Sequence, residues 1–91
     1  MKPTTGTRKE LIKVRESLIQ NPQAGLKSTI IHCHDPVANG TYAEILYVLQ
    51  SLIRPDIYPD LYNAWHHIED FDASHSHSEV LELLDEASNK Q

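Results

Sequence analysis

Six histidines stand in three close pairs along this chain: His32 with His34, His66 with His67, and His75 with His77. Neutral imidazole binds zinc, copper and nickel, and three or four imidazole or carboxylate ligands converging on one ion make a site. The pairs themselves do not converge. Helical ligands to one ion sit three or four residues apart, whereas residues one or two apart point to different sides. A site would have to combine His66 and Asp70, four apart on one helical face, with His75 and His77 from the junction that follows. Zinc, copper or nickel on these four residues is the cofactor-bearing alternative. The leading expectation is no cofactor, with the histidines on the surface and His67 half-buried beside Ala64 and Phe71.

Cys33 lies between His32 and His34 with Asp35 next, so the residue types of a nucleophile and its base are present. Adjacent side chains diverge, however, and helical spacing puts Cys33 with Leu26 and Ile30 on an apolar face. A thiol there is buried and inert. Glu69 with Asp70, and Asp85 with Glu86, read as solvated helix faces, and three glycines form no phosphate-cradling loop. No catalytic residue is expected.

The remaining chemistry is recognition. Tyr58 and Tyr62 bracket a proline-rich elbow, Pro55-Asp56-Ile57-Tyr58-Pro59-Asp60, and Tyr47 falls opposite the apolar stripe of the preceding segment. Tyrosine is a preferred interface residue, and carboxylates around it speed encounter with a basic surface. Tyr47, Asp56, Tyr58, Asp60, Tyr62, Glu69 and Asp70 form the expected partner-binding set, with Asp72 extending the rim. The partner would be a protein with a basic face, as for inhibitor, immunity or nucleic-acid-mimicking proteins. In the competing reading the tyrosines only close the edge of the core.

Charge is divided along the chain. The formal net charge is -5, with residues 1–34 at +4 and residues 35–91 at -9. Nucleic-acid binding would rest on Arg8, Lys9, Lys13 and Arg15, a short patch without interleaved aromatics on a molecule that repels phosphate. It is the second alternative and is disfavoured. The blander consequence is that the first and last helices lie side by side and offset one another.

These residues need a scaffold, and helix signals supply it. Thr7 to Glu10, Thr41 to Glu44 and Ser76 to Glu79 each place a hydroxyl residue three positions before Glu at the start of an apolar-periodic run. That is the capping-box pattern, in which hydroxyl and carboxylate satisfy two orphan N–H groups reciprocally. A first helix is expected from about Arg8 to Gln20, ended by Asn21-Pro22, which restart a second with proline at its first position. Residues 29–34 are β-branched enough for a strand. No second strand exists to pair with them, so a helix to about Asp35 is expected.

The strongest helix spans Thr41 to Arg54 and, being apolar almost all round, should be central. A fourth runs from about Ile57 or Pro59 to Phe71, a polar connection covers Asp72 to His75, and a fifth runs from His77 to about Ser88. The expected core is Leu11, Leu18, Ile30, Cys33, Ile45, Leu46, Leu49, Leu52, Leu61, Trp65, Ile68, Leu81 and Leu84.

The fold class is therefore all-α, a compact bundle of four to five short helices in a single domain over residues 1–91. Residues 1–6 are expected to be a flexible N-terminal segment. An apolar fraction of 40% and a charged fraction of 23% suit a folded chain of 91 residues with one modest core. A lone cysteine, a start without an apolar leader and the lack of any membrane-length apolar run point to a cytoplasmic protein. Self-association, as a homodimer or larger homo-oligomer, is the other interaction this surface could support.

Overall fold

A computed structural model describes residues 5–33 and 41–89, the side chains of Thr5, Cys33 and Thr41 excepted. Among these described residues five helices follow one another: α1 (Thr5–Gln20), α2 (Leu26–Cys33), α3 (Thr41–Ile53), α4 (Leu61–Ser74) and α5 (His77–Asn89), with a 3₁₀ turn, Pro22–Ala24, between the first two. No strand occurs among the described residues, so the all-α bundle is the fold. The β-branched stretch from Thr29 is helical. Thr29 is buried, and its hydroxyl donates back to the Gly25 carbonyl at 2.6 Å, a bond that suits β-branched threonine within a helix. Among the described residues no helix is long and apolar enough to cross a membrane.

The bundle closes around one cluster. Leu11, Val14 and Leu18 of α1 meet Leu26 and Ile30 of α2, Ile45, Leu46 and Leu49 of α3, Ile68 of α4 and Leu84 of α5, all essentially without solvent exposure. α1 packs most extensively on α5 and α3 on α4; α3 also touches α1 and α5, and α1 also touches α2, so the two helices share the middle of the bundle.

Several expectations need correction. Leu61 is 40% exposed, not buried, because it occupies the first helical position of α4, before the helix enters the core. Leu52, Trp65 and Leu81 are partly buried, packed on the outside of the cluster. Leu83 and Val48 join the core instead.

Helix α1 begins at Thr5, so residues 5 and 6 belong to it and Thr7, fully buried, lies inside the first turn rather than at the cap. The α4 helix runs on to Ser74, which shortens the polar connection to His75 and Ser76. Expectations for the Cys33 side chain, His34 and Asp35 fall outside the described residues.

The Ser76–Glu79 capping box is formed in full, while the expected Thr41–Glu44 box rests on a Thr41 side chain outside the described residues. At the start of α5 the Ser76 N–H donates to Glu79 Oε1 at 2.9 Å, and the Glu79 N–H donates to Ser76 Oγ at 3.3 Å.

Candidate partner-binding surface

The elbow between α3 and α4 is built by a buried amide. Gln50 sits in the last turns of α3 with no solvent exposure, a costly place for an amide unless both ends are bonded. Both are. Its Nε2 donates to the Tyr58 carbonyl at 3.4 Å, and its Oε1 accepts from the Asp60 N–H at 3.2 Å. One side chain thus ties down two points of an otherwise irregular segment.

From Asp56 onward the elbow alternates. Ile57 and Pro59 turn inward and are half-buried, whereas Asp56, Tyr58 and Asp60 face solvent. The start is closed by a bidentate pair, Arg54 Nε to Asp56 Oδ1 at 3.0 Å and Nη2 to Oδ2 at 2.9 Å. That pair raises the Arg54 pKa and holds the Asp56 carboxyl below its ordinary value, with His67 near enough to add to the second effect. Asp60 caps α4. Its Oδ1 accepts from the Tyr62 N–H at 3.2 Å, and its Oδ2 accepts from the Asn63 amide at 3.0 Å.

On this fixed backbone Tyr58 is 87% exposed and Tyr62 73% exposed. Tyr62 leans on His66 one turn along α4, edge to face with ring centroids 5.0 Å apart. The outward side of α4 continues through Glu69 and Asp70, both exposed.

The other expected members differ in their engagement. Tyr47 is half-buried on α3. Glu69 pairs with Lys27 of α2 at 3.1 Å, and the same ammonium lies 5.4 Å from the centre of the Trp65 ring, so this acid joins α4 to α2. Trp65 in turn packs against Tyr42, whose phenol pKa is raised by burial, an effect partly offset by a hydrogen bond with the Trp65 side chain. Asp72 is half-buried and bonds the N–H of Leu26. Of the expected acidic rim, Asp70 is left with an exposed carboxylate that makes no described bond.

His66, Asp70, His75 and His77 are not brought together. His75 stacks flat on Phe71, with centroids 3.8 Å apart and 12° between planes, and its Nδ1 is held by the Phe71 carbonyl at 3.0 Å and the Ser74 hydroxyl at 2.9 Å. His77 lines a groove of about 240 Å³ with His75, Asp72 and Gly25, to which neither His66 nor Asp70 contributes. Among the described residues, no three His, Cys, Asp or Glu side chains are placed to hold a metal ion. The basic patch on α1 is thinned as well, since Arg15 Nε donates to the Leu81 carbonyl at 3.4 Å.

Two structural features of this region are not legible in the sequence. Gln50 reads as a polar interruption of an apolar helix, and only its bonds to residues 58 and 60 reveal its use. The second is a groove of about 240 Å³ on the α5 side, floored by Leu52, Phe71 and Leu83. Its acidic wall could have been found from the spacing of Glu79, Glu82 and Glu86, three and four apart on α5.

Comparison with known protein families, with curated proteins and with solved structures finds no match for this chain.

Proposed function

We propose that this chain is a small, acidic, non-enzymatic binding protein that acts in the cytoplasm on a protein partner with a basic surface, in the manner of inhibitor or immunity proteins. One observation carries the reading: two tyrosines, 87% and 73% exposed, stand on a backbone clamped by the buried Gln50. Large aromatic groups left in water on an ordered segment bring contact area to an interface, and little backbone freedom remains to be lost on binding. Asp70, about two turns beyond Tyr62 on α4, supplies an exposed negative charge, which speeds encounter more than it strengthens the complex.

The test is affinity capture from the native host with mass spectrometry, followed by binding measurements on variants of the chain. Tyr58→Ala with Tyr62→Ala is expected to abolish capture while the helical dichroism stays unchanged. Asp70→Asn is expected to slow association, more so at low salt, with little effect on dissociation. Recovery of the same partners by the double-tyrosine variant would overturn the reading.

A further inference from the structure

The α5 groove differs from the elbow in its chemistry. Its floor is apolar, from Leu52, Phe71 and Leu83, with the His75 ring stacked on Phe71 beside it, and its wall carries Glu82 and Glu86, one turn apart and exposed. Glu79, at its end, is already committed to the Ser76 cap. Among the described residues, neither Glu82 nor Glu86 has a cationic partner. At about 240 Å³ the groove lies below the size usual for small-molecule pockets, roughly 300–1,000 Å³, and its open acidic side suits a side-chain ridge better.

The same chain carries a ridge of the opposite kind. On the outer face of α1, Lys9, Ile12, Lys13 and Ile19 are all exposed, the two isoleucines at 43% and 47%, with one exposed acid, Glu16, among them. No described residue pairs with Lys9 or Lys13. Lys27 and Glu69 pair across the two halves of the sequence, but Lys9 and Lys13 on one surface and Glu82 and Glu86 on another remain unpaired among the described residues.

We propose that the α1 ridge of one copy docks in the α5 groove of a second copy. The spacings agree. Lys9 and Lys13 are four residues apart, as are Glu82 and Glu86, so both pairs span about 6 Å along their helices. With the two helices parallel, Lys9 meets Glu82, Lys13 meets Glu86 and Ile12 enters between them toward Leu83 and Phe71. Glu16 then falls one turn further on, beside Asn89 and clear of the acids. The contact joins different surfaces of two copies, so it is head-to-tail and leaves a free ridge and a free groove at the ends.

Sedimentation velocity on the intact chain over a wide concentration range tests this. The parent is expected to show a mass that rises with concentration and falls back toward the monomer as salt is added. Lys9→Glu with Lys13→Glu, and separately Glu82→Lys with Glu86→Lys, should each weaken self-association by about tenfold or more, because like charges then face each other. Mixed in equal amounts, the two variants should associate again, since every ridge then finds a groove of opposite sign only on the other variant. Helical dichroism establishes that both are folded. A parent that stays monomeric, association that survives in either charge variant, or a mixture that stays dissociated would each overturn the proposal. The Tyr58→Ala, Tyr62→Ala variant should self-associate like the parent, which separates this contact from the elbow.

Discussion

The carboxylate of Asp72 accepts from the backbone N–H of Leu26 at 3.2 Å, so a residue on α4 caps the start of α2 across 46 positions of sequence. Helix α2 has no capping side chain of its own. Gly25 precedes it, and the Asn21 side chain makes no capping bond to the 3₁₀ turn before it. Replacing Asp72 with Ala should cost about 0.5–2 kcal/mol, with Asp72→Asn costing less because an acceptor oxygen remains. Hydrogen exchange should show the loss concentrated in the first amides of α2.

Gly25 is tied to the same arrangement. Its φ of +78° is one that side-chain-bearing residues rarely adopt, and an added Cβ would stand 3.0 Å from Asp72 Oδ2. Gly25→Ala is therefore expected to destabilise the fold by about 1 kcal/mol or more, from backbone strain and from displacement of the cap. Thermal unfolding reads this directly, at about 4–8 °C per kcal/mol for a chain of this size. If Asp72→Ala is made first, the steric part of the Gly25→Ala cost should shrink.

What the residue pattern reveals, and what it conceals, follows from how local each interaction is. The Ser76 and Glu79 box is satisfied within four residues, so it reads directly from sequence and forms as expected. The Thr7 box has the same pattern, yet α1 starts at Thr5, and the buried Thr7 lies inside the helix. Leu61 shares the spacing of Ala64 and Ile68 but lies at the helix end, where periodicity carries no information on what covers it. The Asp72 cap and the Gln50 clamp are contacts between segments, invisible to any reading by period. The elbow tyrosines were legible as a coincidence of type and place; their exposure was not.

The core itself is legible, and Leu49 tests it. This residue is fully buried on α3, within a cluster to which all five helices contribute. Leu49→Ala should cost about 2–5 kcal/mol, from the lost transfer energy and the cavity left behind. Chemical denaturation with an unchanged slope would place the effect in the native core.

Gln50→Leu keeps the volume but removes both elbow bonds. The Asp60 N–H then has no partner unless water enters, a penalty of about 1–3 kcal/mol. The larger consequence is expected in recognition. A loosened elbow must be ordered again on binding, so partner affinity should fall even though neither tyrosine has changed. Calorimetry on Gln50→Leu beside the double-tyrosine variant separates preorganisation from contact. An affinity equal to that of the parent would show that the clamp serves stability alone.

Acid should loosen α5 through its cap. The Ser76 N–H, and after it the Ser76 side chain, hold the Glu79 carboxyl below its ordinary value. A carboxylate with a folded pKa below its unfolded one binds fewer protons when folded. Its contribution is therefore complete above the unfolded pKa of about 4.3 and is lost as pH falls through the lower folded value. Asp56, lowered chiefly by Arg54, adds a loss of the same sign in the same acidic range.

Glu79→Gln isolates the first contribution. Its amide oxygen can still accept from Ser76, but it does not titrate there, so the fall in stability below about pH 4.3 should be shallower than in the parent. Ser76→Ala should behave differently. It removes the hydroxyl acceptor and lowers stability at every pH, while the backbone donor that depresses the Glu79 pKa most remains in place. Denaturation midpoints measured from neutral pH into acid should give a lowered, partly flattened curve for Ser76→Ala, which keeps the larger of the two causes, and a more strongly flattened one for Glu79→Gln. Identical acid slopes in parent and Glu79→Gln would mean that the box contributes nothing that depends on its charge.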